Sequence, residues 1–309
     1  EFEQYINLRP VRLFEGVDCP LANKKPGDID FYVVRENCEG EYSDIGGRIY
    51  QGSEHEVVIQ QSVFSKRGVD RVLKYAFDLA QSRPRKLLAS ATKSNGVIHT
   101  MPFWDECVEK MAERYPQMEV EKYHIDILTA NFVNKPEAFD VVVGSNLFGD
   151  ILSDLGPGIT GTIAIAPSAN INPTGDFPSM FEPVHGSAPD IAGKGVANPI
   201  GMIWCGAMML DFLGNGDATH TAAHDEQLRQ ATEAADDAFG GVARRVGELD
   251  AVDEVTCEID GQAGILNDEP TRTQATVAIR APRHVADRLL RHDRLAHVRR
   301  HEHGAELVV

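Results

Sequence analysis

Apolar and polar positions along the chain follow two alternating periods. Asp30 to Glu36 (DFYVVRE) and Phe139 to Val143 (FDVVV) are short β-branched and aromatic runs, the pattern of buried strands. Val69 to Gln81 (VDRVLKYAFDLAQ) carries Val72, Leu73, Phe77 and Leu79 with alanines between and stops short of Pro84, so its spacing predicts an amphipathic helix. Phe103 to Tyr115 repeats that pattern and ends before Pro116. Strands alternating with helices predict an α/β fold. Asn198-Pro199 supplies a helix start, a capping Asn followed by Pro at the first helical position, and Gly214 supplies a stop. The stretch between them, IGMIWCGAMMLDFL, is apolar on nearly every side, which predicts burial in a core or at a subunit contact.

Three carboxylates in mid-chain carry the most chemical information: Asp126 in YHIDILTANF, and Asp150 and Asp154 in SNLFGDILSDLG. A helix opening at Asn146 and Gly149 stacks Asp150 and Asp154 on one face, with Cβ atoms roughly 5–6 Å apart. Two ionised carboxylates that close repel unless a cation lies between them, and an all-oxygen ligand set favours Mg²⁺ or Mn²⁺. On spacing alone the pair is more often just a solvated helix face. Upstream stand Arg9 in NLRP, Arg35 in VVRE, Tyr42 in GEY and Lys93 in ATKSNG. The guanidinium fork of an arginine suits carboxylate recognition, and Tyr and Lys serve as acid and base where desolvation or neighbouring cations lower their pKa. Taken singly, these four are ordinary surface residues.

Residues 181–199 (FEPVHGSAPDIAGKGVANP) form a polar loop punctuated by Gly186, Gly193 and Gly195 and stiffened by Pro183 and Pro189. Such a loop can wrap an adenosine, and as a bare pattern it is equally an ordinary surface loop. Asp190 can accept hydrogen bonds from a ribose diol and would repel a 2′-phosphate. Gly156 to Gly161 (GPGITG) matches G-x-G-x-x-G, but it follows a helix instead of a strand and has Pro157 in the turn, so it is rejected as a dinucleotide fingerprint.

Composition narrows the classes. The chain's 309 residues are enough for two domains, and its formal charge of −17 disfavours nucleic acid and anionic membranes. The same acidity is compatible with a high-salt cytoplasm. No apolar stretch reaches the ~20 residues of a spanning helix, and the first residues, EFEQYINLRP, read as the middle of a fold with sequence expected before them. Five scattered cysteines, without C-x-x-C or zinc spacing, fit a reducing cytoplasm. Residues 224–250 are charged and Ala-rich and read as surface helix. Residues 281–309 turn abruptly to Arg and His, including His284, His292, His297, His301 and His303. A His-rich tract can bind metal, and such a tail also reads as a mobile or non-native extension.

In order along the chain, NLRP, VVRENCEGEYS, the TKSNG lysine, HIDILTANF, NLFGDILSDLG and FEPVHGSAPDIAGKGVANP resemble the β-decarboxylating dehydrogenases. Within that family the resemblance is to the branch acting on tartrate and D-malate, through KPGDIDFYVVREN, EGEYSDIGGR and IAPSANINP. It implies an isopropylmalate dehydrogenase-like, two-domain α/β/α fold with central mixed sheets. Residues 16–160 would form a small central domain with the metal and catalytic residues and a dimer contact. Residues 1–15 with 161–250 would form part of a larger NAD-binding domain, and 251–309 a divergent C-terminal region.

By the same resemblance, Arg9 and Arg35 grip the substrate carboxylates, and Asp126, Asp150 and Asp154 hold Mn²⁺ or Mg²⁺, with K⁺ as a further cofactor. Lys93 helps deprotonate the hydroxyl as hydride passes to NAD⁺. Loss of CO₂ from the resulting β-keto acid is assisted by the metal as a Lewis acid, and Tyr42 then supplies the proton. Glu182, His185, Gly186, Ser187, Ala188, Asp190 and Asn198 surround the adenosine, with Asp190 favouring NAD over NADP. The resemblance further implies a homodimer in which Lys93 and Asp126 enter the partner's site. The implied activity is oxidation and decarboxylation of a 2-hydroxy dicarboxylate, D-malate or tartrate. 3-Isopropylmalate or isocitrate, or a non-catalytic fragment or subunit, stand as alternatives. The departures are a family segment expected before NLRP, Cys38 where relatives tend to have Thr, and an ending past about residue 235 unlike the family's.

Overall fold

The computed structural model describes residues 2–214 and four short strands farther along, Glu254–Glu258, Thr276–Ala281, Val298–His301 and Gly304–Val308. Those four strands pair antiparallel, with Thr276–Ala281 next to Glu254–Glu258 and Gly304–Val308 between Thr276–Ala281 and Val298–His301. The surface helix expected over 224–250, and most of the Arg/His tract, lie outside the described residues.

The main body is a seven-stranded mixed sheet. In chain order its strands are β1 (Ile6–Arg12), β2 (Asp30–Glu36), β5 (Leu87–Thr92), β6 (Glu119–His124), β7 (Val141–Gly144), β8 (Pro167–Ile171) and β9 (Met180–Pro183). Their spatial order is β6-β5-β7-β2-β1-β8-β9. Pairs from β6 to β2 are parallel, and pairs from β2 to β9 are antiparallel. A separate hairpin, β3 (Gly46–Ile49) with β4 (Val57–Gln60), stands off this sheet with every residue exposed.

Local sequence explains the main elements. β7 reads VVVG and is buried throughout, as expected of a parallel strand flanked on both sides. Helix α1 (Lys66–Ser82) starts at Ser65, whose hydroxyl accepts the Gly68 N–H at 3.0 Å. It buries Val69, Val72, Leu73, Ala76, Phe77 and Ala80, one apolar stripe at helical spacing. The helix begins three residues before the apolar period does, because its first turn, Lys66-Arg67-Gly68, is set by the cap and not by burial. Helix α2 (Thr100–Ala112) buries Met101, Trp104, Cys107, Val108 and Met111. It ends earlier than the pattern predicted, since Arg114 and Tyr115 already donate to Met111 and Ala112 in a closing turn. α3 (Ile125–Asn134) follows β6 directly.

Helix α4 (Asn146–Thr160) is the element that builds the site. It lies on the sheet face bearing Asn7, Arg9 and Val11 of β1 and Arg35 of β2, which alternation puts on one side. Gly149 and Gly156 allow the approach: a Cβ on Gly149 would sit 2.5 Å from the Arg35 Cβ, and one on Gly156 would sit 2.3 Å from Val11 Cγ2. The GPGITG stretch is the last turn of this helix and its left-handed cap, Gly161 at φ 72°. Helix α5 (Ile200–Phe212) starts after Asn198, whose Oδ1 accepts the Ile200 N–H at 3.0 Å. Its buried face, Ile200, Trp204 and Ala207, packs with Phe14 and Ile165.

Candidate active site

α4 brings its two aspartates against the two arginines. Arg9 Nη1 donates to Asp154 Oδ1 at 2.7 Å and to Ser153 Oγ at 2.8 Å. Arg35 Nη1 is hydrogen-bonded to Asp150 Oδ1, while Arg35 Nε and Nη2 donate to Asn146 Oδ1 at 3.0 and 2.8 Å. Both arginine side chains are largely buried, at 12% and 14% exposure, whereas Asp154 is 59% exposed. The positive charge is therefore anchored in the sheet and the negative charge faces outward. Burial lowers the Arg35 pKa against the opposing pull of Asp150.

Tyr42 reaches the same cluster from the loop after β2. Its hydroxyl donates to Asp150 Oδ2 at 2.9 Å, and the Arg35 guanidinium lies 5.7 Å from its ring centre. The hydrogen bond to Asp150 raises the phenol pKa, and burial adds to the rise. The sequence reading had a neighbouring cation lowering it. Arg35 does pull that way, but the carboxylate in direct contact outweighs it.

Lys93 and Asp126 form a second group. Lys93 follows the last residue of β5 and Asp126 lies in the first turn of α3, and Lys93 Nζ donates to Asp126 Oδ1 at 2.8 Å. That bond holds the Asp126 carboxyl below its usual range. Neither residue shares a hydrogen-bond partner with Asp150 or Asp154, and among the described residues no three His, Cys, Asp or Glu side chains converge as a metal site. One chain thus offers a hard cation the two carboxylates of α4, with the third placed elsewhere.

The expected nucleotide residues lie on β9 and the loop to α5. Glu182 Oε1 accepts from Asn170 at 3.0 Å, and His185 Nδ1 contacts the Gly186 carbonyl at 2.9 Å. His185, Gly186, Ser187 and Asp190 are exposed, Ala188 takes a left-handed φ of 37°, and Asn198 caps α5. Sequence reasoning missed several partners. Ser153 and Ser168 accept from Arg9, Asn170 donates to Glu182, Asn7 donates to Ser168 and Asn170, and Glu41 holds the start of α4 by accepting from Ser145 Oγ at 2.7 Å and Leu147 N at 3.0 Å. One available signal was the alternation Ser168, Asn170, Asn172 in PSANIN, a polar face on a strand buried on both sides.

The model of the isocitrate/isopropylmalate dehydrogenase family matches residues 1–255. The chain belongs to this family. It is 73% identical over 233 residues to the D-malate dehydrogenase (decarboxylating) of Escherichia coli, covering 75% of this chain and 64% of the relative. It is 66% identical over 229 residues to the tartrate dehydrogenase/decarboxylase of Pseudomonas putida, covering 74% and 63%. A probable tartrate dehydrogenase/decarboxylase of Bacillus subtilis is 51% identical over 259 residues, covering 84% and 70%. The chain spans just under two thirds of the length of the first two relatives. The crystal structure of isocitrate dehydrogenase from Methylococcus capsulatus superposes with a TM-score of 0.65 at 37% identity, covering 74% of this chain and 65% of that one. The family thus bears out the α/β fold and the resemblance read from the motifs.

Proposed function

We propose that the chain carries the substrate and metal side of an NAD-dependent, divalent-metal-dependent site that oxidises and decarboxylates a 2-hydroxy dicarboxylic acid, D-malate or tartrate. The observation that carries this reading is the facing of two buried arginines and two outward aspartates, Arg9 with Asp154 and Arg35 with Asp150. The names of the two most similar relatives given above, enzymes of D-malate and tartrate, point the same way.

Each arginine is paired with an aspartate. Arg9 and Arg35 would bind the carboxylates of a dicarboxylate, and Asp150 and Asp154 would then hold a divalent cation. The donor set fits Mg²⁺ or Mn²⁺, which when bound supplies Lewis acidity to the substrate oxygens. Arg9 and Arg35 orient the acid, and their burial keeps water from competing for the fork. Lys93 would help deprotonate the substrate hydroxyl, and NAD⁺ when bound would supply the hydride acceptor. Tyr42 holds its proton firmly and delivers it to carbon after CO₂ has gone. Glu182, His185, Gly186, Ser187, Ala188, Asp190 and Asn198 would hold the adenosine part of NAD, with Asp190 suited to accept from a ribose diol.

Lys93 and Asp126 complete the site from a second copy of the chain. Supporting this are their separation from the α4 cluster and the exposed apolar side chains Ile127, Val133 and Ile151 on α3 and α4, and Ile49, Val57, Val58 and Ile59 on the hairpin. The division into 16–160 and 1–15 with 161–250 draws support from strand order, since it cuts the sheet once, between β2 and β1. Cys19, Cys38, Cys107 and Cys205 are unpaired, as suits a reducing cytoplasm.

NADH formation by the purified chain with Mn²⁺ and K⁺, across D-malate, tartrate, 3-isopropylmalate and isocitrate, tests the reading. Chelator-sensitive turnover of D-malate or tartrate is the expected result; turnover of 3-isopropylmalate or isocitrate alone replaces the substrate, and silence on all four indicates a non-catalytic fragment or subunit.

A further inference from the structure

We infer that Asn170 is a positioning residue tying Glu182 of the nucleotide loop to Arg9 of the substrate site through a buried ladder of side-chain hydrogen bonds. The inference rests on the roles proposed above for Glu182 and Arg9, neither of which accounts for the residues between them.

The ladder crosses three strands on one sheet face. Asn7 of β1 stands directly opposite Asn170 of β8, and Ser168 of β8 stands opposite Glu182 of β9. Asn170 Nδ2 donates to Glu182 Oε1 at 3.0 Å, while its Oδ1 accepts from Asn7 Nδ2 at 2.8 Å and from Asn37 Nδ2 at 3.2 Å. Asn7 Nδ2 donates again to Ser168 Oγ at 2.9 Å, and that oxygen also accepts from Arg9 Nε at 3.3 Å. The chain of bonds therefore starts on a carboxylate and ends on a guanidinium.

Its polarity is fixed by chemistry. Glu182 ionised can only accept and Arg9 can only donate, so both amides between them have one workable orientation. Asn7 adopts that orientation at a cost: both of its ladder bonds are donated, and its buried Oδ1 has no partner. Local satisfaction alone would not leave this acceptor bare. Asn7 and Ser168 are each 2% exposed and Asn170 is 8% exposed, and apolar side chains would fill such positions without any polar desolvation. What the polar set adds is orientation, with every member constrained by its neighbour. Arg9 is then held on two sides, by Ser168 at Nε and by Ser153 and Asp154 at Nη1, and its pose is linked to that of Glu182 two strands away.

The test is Asn170→Asp, which keeps the shape and the acceptor for Asn7 and Asn37 but turns the donor toward Glu182 into an oxygen. The partner variant is Glu182→Gln, since combining the two restores the bond with donor and acceptor exchanged. NADH binding is read by its fluorescence, D-malate binding with Mn²⁺ by calorimetry, and the midpoint of thermal unfolding is recorded for all four proteins. Asn170→Asp is expected to weaken NADH roughly tenfold, the scale of one charge-assisted hydrogen bond. It should also weaken D-malate several-fold by loosening Arg9 through Asn7 and Ser168, and the double variant should regain D-malate affinity. A lower midpoint with D-malate affinity unchanged reduces Asn170 to a structural residue and overturns the inference. If the wild type binds neither ligand, the functional reading fails by itself. The unfolding midpoints then decide the ladder: recovery in the double variant upholds it, and additive losses overturn it.

Discussion

Gly149 rests on the backbone of Arg35, with room for nothing larger than hydrogen: an added Cβ would meet the Arg35 Cα at 2.9 Å and its Cβ at 2.5 Å. The residue after that glycine is Asp150, which Arg35 binds. Close packing of helix on strand and the pairing of charge are thus one contact. Gly149→Ala should push α4 off the sheet, costing about 2 kcal/mol of stability by overpacking and weakening metal and dicarboxylate binding together. Thermal unfolding with calorimetry checks it; a stable protein with unchanged ligand affinities would show that the contact is dispensable.

Glu36, next to Arg35, is 1% exposed and accepts the backbone N–H groups of Cys38 and Glu39. Burial pushes its carboxyl up to about 7 from an ordinary 4.5 against the lowering pull of those Glu39 and Cys38 N–H bonds, while the Glu39 charge adds to the rise and Arg71 opposes it. Between those values the folded state binds the extra proton, so this group's contribution to stability declines as pH rises through that window, by about 3 kcal/mol in all. Glu36→Gln should therefore be more stable than wild type at pH 8 and gain little at pH 5, as read by denaturant unfolding. An equal gain at both pH values would mean that Glu36 does not titrate in this window.

Tyr42 donates to Asp150, and the bond keeps its phenol protonated above the ordinary tyrosine range. Removing this proton donor as Tyr42→Phe should lower kcat by roughly 10²- to 10⁴-fold while KM for the dicarboxylate moves little, because Arg9 and Arg35 remain. The alkaline limb of the wild-type kcat/KM profile, which reports the free enzyme, should lie above the usual tyrosine value. A rise in KM with kcat preserved would move Tyr42 from proton transfer to substrate binding.

Lys93 and Tyr42 sit in different groups of one chain, so a two-fold dimer with shared sites makes a quantitative forecast. Lys93→Met and Tyr42→Phe should each be nearly inactive. Mixed after dissociation and reassociation, they should regain about a quarter of wild-type turnover, since random reassortment yields one intact site in half of the dimers. No recovery on mixing would place each complete site within one chain.

Much of this was legible in the sequence because it was local. The strand at Asp30–Glu36, the stripe of α1 and the Asp150/Asp154 face follow from period alone. β1 was less legible, since Pro10 breaks into the alternation of INLRPVR and argues against a central strand. The pairings of Arg9 with Asp154 and Arg35 with Asp150 span 145 and 115 residues. No window of sequence shows such a contact; it appears only once α4 crosses β1 and β2. The Asn7, Ser168 and Asn170 ladder was hidden for the same reason, its members reading singly as loop-type polar residues.

The central claim is that Asp150 and Asp154 hold a divalent cation only in concert with a dicarboxylate on Arg9 and Arg35, and Mn²⁺ binding followed by electron paramagnetic resonance addresses it most directly. Wild-type chain should take up Mn²⁺ more tightly with D-malate present than without, and Asp150→Asn should lose both the binding and the enhancement. Equal Mn²⁺ uptake by wild type and Asp150→Asn, or indifference to D-malate, would contradict it.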